Sequence, residues 1–170
     1  MTQTNKKKLI LDGYNVIYKI PALTAKLKDS LAASRDTLAQ YLLDWKRFHP
    51  NYDISVIFDG RDSISLNYSH TNLKGIDCYF TKSNVEADDR IISIIKNINN
   101  KNDIIVISDD NKIRNHCRSY KVAMEHPSFF IKKDLTKSKQ INNDKNVIDP
   151  KDVSEINKWY EEELKKRTEA

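Results

Sequence analysis

Three times in this chain a short apolar run without alternation ends on aspartate, and no other feature restricts its fold as tightly. Residues 9–11 lead into Asp12 and Gly13, residues 54–58 into Asp59 and Gly60, and residues 104–107 into Ser108, Asp109 and Asp110. Such runs read as strands buried on both faces, the condition of a parallel sheet covered by helices. A carboxylate buried unpaired at a strand end costs several kcal/mol, so each acid must be hydrogen-bonded, paired or holding a cation. In a parallel sheet the three strand ends place these acids along one edge, where open α/β sheets hold ligands.

The 170 residues suffice for one domain with an appendage and a proper core. Lys and Arg number 29 against 24 Asp and Glu, and the resulting +5 and pI near 9.0 suit a polyanionic partner without specifying one. Several of the acids fall in the strand-end positions, so the remaining surface is more basic than the sum. Cys78 and Cys117 match no metal-ligand spacing and read as small core residues in a reducing compartment. The apolar run after Lys6, Lys7 and Lys8 is too short for a signal peptide, and no stretch approaches membrane-spanning length, so the expected location is cytoplasmic. With Gly13, Gly60 and Gly75 the only glycines, there is no glycine-rich phosphate cradle and no G-x-S-x-G nucleophile elbow. His49, His70, His116 and His126 show no zinc spacing and read as surface or packed residues.

Along the chain, residues 14–27 read as a loop interrupted by Pro21. A helix follows from about Ser30, with Leu31, Leu38, Leu42 and Trp45 on one stripe and an end at His49 and Pro50. Arg35 and Arg47 lie on it, as solvated charges or as phosphate contacts. Residues 61–71 are polar with turn residues, and 75–80 form a third candidate strand. Ser83 and Glu86 have the spacing of a capping box, followed by Asp88, Ile91, Ile92 and Ile95 at helical intervals. That spacing sets Asp88 in the middle of the apolar stripe, where a carboxylate has no cheap structural role; Asp89 turns to the flank and Glu86 lies opposite. Asp109 or Asp110 can serve as N-cap of the next helix, on which Ile113 and Cys117 share a face. Residues 120–124 make a last short strand. The main domain is therefore expected over 1–131, a polar linker over 132–148, and a C-terminal amphipathic helix over 149–170 carrying Val153, Ile156, Trp159 and Tyr160 on one side.

If Asp12, Asp59, Asp88 and Asp110 converge, they need a cation. Two unit charges ~4 Å apart repel by about 4 kcal/mol at an effective dielectric near 20. Oxygen-only ligands select a hard divalent ion, Mg²⁺ or Mn²⁺. Such an ion lowers the pKa of water and polarises a phosphoryl oxygen, which is the requirement of phosphodiester hydrolysis. Basic side chains at the rim would hold the polyanion and make its binding fall with salt.

Four motifs in order, DGYN at 12–15, FDGR at 58–61, FTKSNVEADDRI at 80–91 and VISDDNKIR at 106–114, resemble the NYN domains of the YacP-like group, relatives of PIN-domain and flap-type nucleases. The resemblance covers roughly residues 8–124. It implies a PIN-like α/β fold of three layers, with a central parallel sheet flanked by helices, and a Mg²⁺- or Mn²⁺-dependent endoribonuclease leaving 5′-phosphate and 3′-hydroxyl ends. In the bacterial YacP-like branch it implies mRNA cleavage linked to the ribosome. By position, Asp12 resembles the first metal acid, Asp59 the second-strand acid and Asp88 the helix acid. Asn15, Glu86 and Asp89 stand as their helpers. The family pattern of Ser or Thr, any residue, then Asp selects Ser108 and Asp110 and leaves Asp109 at the variable place. Arg35, Arg61 and Arg114 are candidate contacts for the nucleic acid.

The expected function is hydrolysis of single-stranded RNA. Its rivals are an inactive PIN-like RNA- or ribosome-binding module, a PIN-type toxin acting on tRNA or rRNA, and a structure-specific DNA nuclease. A phosphatase of the haloacid dehalogenase type fits worse, because Asp12 is followed by Gly13 and Tyr14 rather than a second aspartate.

Overall fold

Strand β1 (Lys7–Asp12) runs through the middle of a six-stranded sheet, with β2 (Tyr52–Phe58) on one side and β5 (Ile104–Ile107) on the other. A computed structural model gives these positions and describes residues 6–60, 70–82 and 84–130. Beyond β2 lie β4 (Ile76–Phe80) and then β3 (His70–Leu73); beyond β5 lies β6 (Ala123–Glu125). Every pairing is parallel except that of β3 with β4. The expectations for residues 132–148 and 149–170, like those for Arg61 and Ser83, fall outside the described residues.

The unalternating apolar runs are explained by helices on both faces. Leu9 and Leu11 pack with Leu38, Leu42 and Trp45 of α3 (Leu31–Phe48), while Ile10 packs with Ile91 and Ile95 of α4 (Ala87–Asn97) and with Ile113 and Cys117 of α5 (Asn111–Tyr120). The result is three layers, helix, sheet and helix. From β1 the chain moves outward to β2, and α4 then carries it back across to β5. The strand order therefore reverses between β1 and β5, the switch point at which the ends of parallel strands leave a crevice.

Two expectations need correction. Residues 14–27 are not a loop but α1 (Gly13–Lys19), α2 (Pro21–Thr24) and a 3₁₀ turn (Ala25–Lys28). Asp12 caps α1, Val16 and Ile17 are buried, and Pro21 stands at the first position of α2, where its missing N–H costs nothing. Helices of 7 and 4 residues are too short to display a period. The polar stretch ending at Thr71 enters β3, which begins at His70. An edge strand pairs on one side only and tolerates polar residues. Lys74 and Gly75, at φ 51 and 85, form the tight turn into β4, a hairpin connection that requires positive φ at both central positions. The long helix follows expectation: Ser30 accepts from the Ala33 N–H at 3.0 Å, and His49 closes the far end, its ring stacked on Trp45. Cys78 and Cys117 are free and buried, and burial pushes both thiols up to about 11.

Candidate active site

Asp12 ends β1 on the same side of the pleat as Ile10, and so faces the α4 and α5 layer. It is 7% exposed. Its Oδ1 accepts from the Asn15 N–H at 3.3 Å and its Oδ2 from the Ser108 hydroxyl at 3.2 Å. Burial pushes its pKa up to about 6; the nearby Asp88 and Asp59 charges add to the rise, while the Asn15 and Ser108 bonds oppose it. Register explains the Ser108 contact: Leu11 lies opposite Ile107, so the next residues of β1 and β5 are neighbours across the switch point.

Asp59 follows β2, and its Oδ1 accepts from the Ala87 N–H at 2.7 Å. The first amide of α4 is thus held by an acid 28 residues earlier. The expected capping box at this helix start is not what holds it: Glu86 is the N-cap residue and makes no side-chain cap bond. Nothing local in the sequence marks a cap supplied from another strand. The capping role of Asp59 can be isolated by substitution. Asp59→Ala should lower stability by about 1 kcal/mol through the lost cap, measured by urea unfolding, whereas Asp59→Asn keeps an acceptor oxygen and should leave stability nearly unchanged.

Asp88, in the first turn of α4, is half-buried. Burial raises its pKa, and Asp110, Glu86 and Asp59 raise it further against the opposing pull of Lys112. Asp110 accepts from the Ile113 N–H at 3.0 Å as the N-cap of α5, and its own N–H donates to the Ser108 oxygen at 3.1 Å. Asp88 and Asp59 thus lie near enough to Asp12, and Asp110 and Asp59 near enough to Asp88, to raise the pKa of Asp12 and of Asp88. Asp89 turns outward to Lys112 at 2.7 Å, and Glu86 is exposed.

Asp109 faces another environment. Its carboxylate meets Lys19 at 2.7 Å, Arg114 at 2.9 Å and His126 at 3.7 Å. Partial burial works to raise its pKa, but Lys19, with His126 and Arg114, holds it below the usual carboxylate value. Its backbone N–H donates to the Asn15 side-chain oxygen at 2.9 Å, tying the start of α1 to the end of β5. Lys19 and His126 escaped the sequence reading because they come from distant segments and carry no motif. A recess of about 320 Å³ between α5 and β6 is lined by Ser108, Arg114, Arg118, Glu125 and His126 among others, so Arg114 and His126 are reachable from solvent. Arg35, a candidate nucleic-acid contact, donates to the Tyr14 hydroxyl at 3.1 Å and lies 5.3 Å from the centre of the Phe80 ring.

Among the described residues, no group of three or more His, Cys, Asp and Glu side chains is arranged to hold a metal ion as the structure stands. The donor chemistry nevertheless suits a hard divalent cation. All the converging donors are carboxylate oxygens, and the pKa values of Asp12 and Asp88 are raised by burial first and by neighbouring carboxylates second, both of which a bound cation would offset.

A parallel α/β sheet with carboxylates gathered at the ends of its central strands, and one more on the crossing helix, defines a nuclease-type, PIN-like domain. Residues 9–169 match the family model described as the YacP-like NYN domain, and the chain belongs to that family, whose domains are nuclease-type and RNA-related. It is 34% identical over 92 residues to the uncharacterized protein YacP of Bacillus subtilis (strain 168), covering 54% of this chain and 53% of that protein. The chain thus spans about half the length of the curated relative it matches. The crystal structure of Rae1 (YacP) from Bacillus subtilis superposes with a TM-score of 0.63 at 24% identity, covering 95% of this chain and 92% of that one. A mutant form of the same protein gives 0.64 at 24% identity, over 81% and 80% of the two chains. At that identity the likeness is one of fold. Among the described residues, no helix is long and apolar enough to cross a membrane.

Proposed function

We propose that the chain is a Mg²⁺- or Mn²⁺-dependent endoribonuclease that hydrolyses phosphodiester bonds of single-stranded RNA at the edge formed by Asp12, Asp59, Asp88 and Asp110. The observation that carries this reading is the buried Asp12 at the switch point, with Asp59 and Asp88 close enough to push its pKa up. Those four residues would hold the metal. Held there, a divalent ion would supply an activated water and positive charge to offset that on the phosphoryl and leaving oxygens. The Ser108 hydroxyl and the Asn15 N–H aim Asp12, Asp59 fixes the helix that carries Asp88, and Ser108 also takes the Asp110 N–H, so one hydroxyl orients two acids. Single-stranded RNA is favoured because its phosphates and bases are accessible to a shallow acidic edge. The substrate we infer is mRNA in the cytoplasm, cleaved in connection with the ribosome.

The test is cleavage of a labelled, partly structured RNA in Mg²⁺, in Mn²⁺ and in EDTA, with Asp88→Asn protein alongside. Cutting should require the metal and fall at least about a hundredfold in the variant, the loss of about 3 kcal/mol of transition-state stabilisation, with the fold intact. Normal cutting by Asp88→Asn would remove Asp88 from the site. RNA binding by the wild type with no cutting under any condition would favour the inactive binding module.

A further inference from the structure

Helix α1 buries Gly13, Val16 and Ile17, which leaves Tyr14, Asn15, Tyr18 and Lys19 on its other face. Three of the four are engaged. Tyr14 packs edge-on against Phe58 and accepts from Arg35, Asn15 holds the Asp109 N–H, and Lys19 pairs with the Asp109 carboxylate. Tyr18 makes no side-chain hydrogen bond, ion pair or ring contact among the described residues. At 60% it is also the most exposed large apolar side chain among them.

The surroundings of that ring are specific. Tyr18 lies one turn, roughly 5 Å, along α1 from Asn15, and Asn15 lies just beyond the acid that ends β1. Lys19, its neighbour, belongs to the group of three basic side chains around Asp109, with Arg114 and His126. An exposed aromatic ring beside clustered cations has the composition of a single-strand track, in which cations face the backbone and rings take the bases.

We propose that Tyr18 is a stacking platform for a base of single-stranded RNA flanking the cleaved bond, with Lys19 and Arg114 facing the adjoining phosphate. This rests on the reading of the acid edge as an RNA-cleaving site and adds the residue that selects unpaired strands. A base can lie on the ring only when it is out of a duplex stack, and every base has a face to offer, so the contact discriminates by strandedness rather than by sequence.

The experiment measures binding of a fluorescein-labelled 12-nucleotide oligoadenylate, and of the same strand made abasic, by anisotropy in Mg²⁺. The 170-residue chain carries Asp88→Asn to suppress cutting. Tyr18→Ala should weaken oligoadenylate binding roughly ten- to a hundredfold and leave abasic binding unchanged, while Tyr18→Phe should stay within about twofold of the parent. In an otherwise wild-type chain, Tyr18→Ala should raise KM and spare kcat. Equal oligoadenylate binding by parent and Tyr18→Ala, or an equal loss for the abasic strand, would overturn the stacking role and leave the nuclease reading standing. No binding of either strand by the parent would overturn both.

Discussion

Asp12→Asn should abolish cleavage, by about a thousandfold, while making the metal-free protein harder to unfold at pH 7.5. The two effects share a cause. Folding pushes the Asp12 pKa from 3.8 to about 6, chiefly by burial, so the folded state favours the protonated acid. The stability linked to that proton is fully present below about pH 4 and is lost as pH rises through about 6. Above that, ionised Asp12 weighs against the fold by about 3 kcal/mol. Asparagine removes the charge and keeps an oxygen for the Asn15 N–H, but it turns an amide donor toward the Ser108 hydroxyl, which must then accept. The net gain should be about 1–2 kcal/mol, a rise of a few degrees in Tm. Melts in EDTA between pH 4 and 8 provide the check, because the advantage of the variant should disappear at the acid end. A variant less stable than wild type at pH 7.5 would mean that the Asp12 charge holds the fold together instead of waiting for a cation.

Gly60→Ala should be the most damaging small substitution in the domain. A Cβ there would sit 1.8 Å from the Thr81 carbonyl oxygen and 2.9 Å from its carbon, both backbone atoms that cannot swing aside. The same few residues join the ends of β2 and β4: Gly60 N–H donates to Thr81 Oγ1 at 3.1 Å, and Thr81 N–H donates to the Phe58 carbonyl at 3.0 Å. Forcing the strands apart should destabilise by about 3 kcal/mol or more, and it would displace the adjacent Asp59 together with the start of α4. Urea unfolding and cleavage should fail together. Stability within about 1 kcal/mol of wild type would show that this junction yields easily. Gly13 makes a softer demand, since a Cβ there meets the Phe58 ring, a side chain.

Much of this arrangement could be read from residue order because its signals are local. The run 104–107 is apolar throughout, and 54–58 is apolar but for the buried Ser55, since helices cover both faces, and the acids follow where the strands end at the sheet edge. Asp88 stood out for a related reason: Ile91, Ile92 and Ile95 mark the buried face of α4, and a carboxylate on that stripe has no partner nearby in sequence. What escaped depends on contacts between distant segments or on elements too short to carry a period. Helix α1 is 7 residues long and takes its cap from a residue that also reads as a strand end. The polar residues of β3 resemble a turn because half the strand's surroundings are solvent. Asp109 and Asp110 are adjacent and chemically alike, and although the family pattern singles out Asp110, the surroundings of Asp109 come from the chain's path: it meets Lys19, Arg114 and His126 while Asp110 caps α5 beside Asp88.

The bond from the Ala87 amide to Asp59 gives the molecule an internal gauge. Whatever alters the charge on Asp59, whether a proton or a ligand, alters the electron density around that one N–H. Whatever frays the first turn of α4 frees the carboxylate. Helix fraying and the state of the acid edge are therefore two readouts of a single coordinate, and the Ala87 amide resonance follows both.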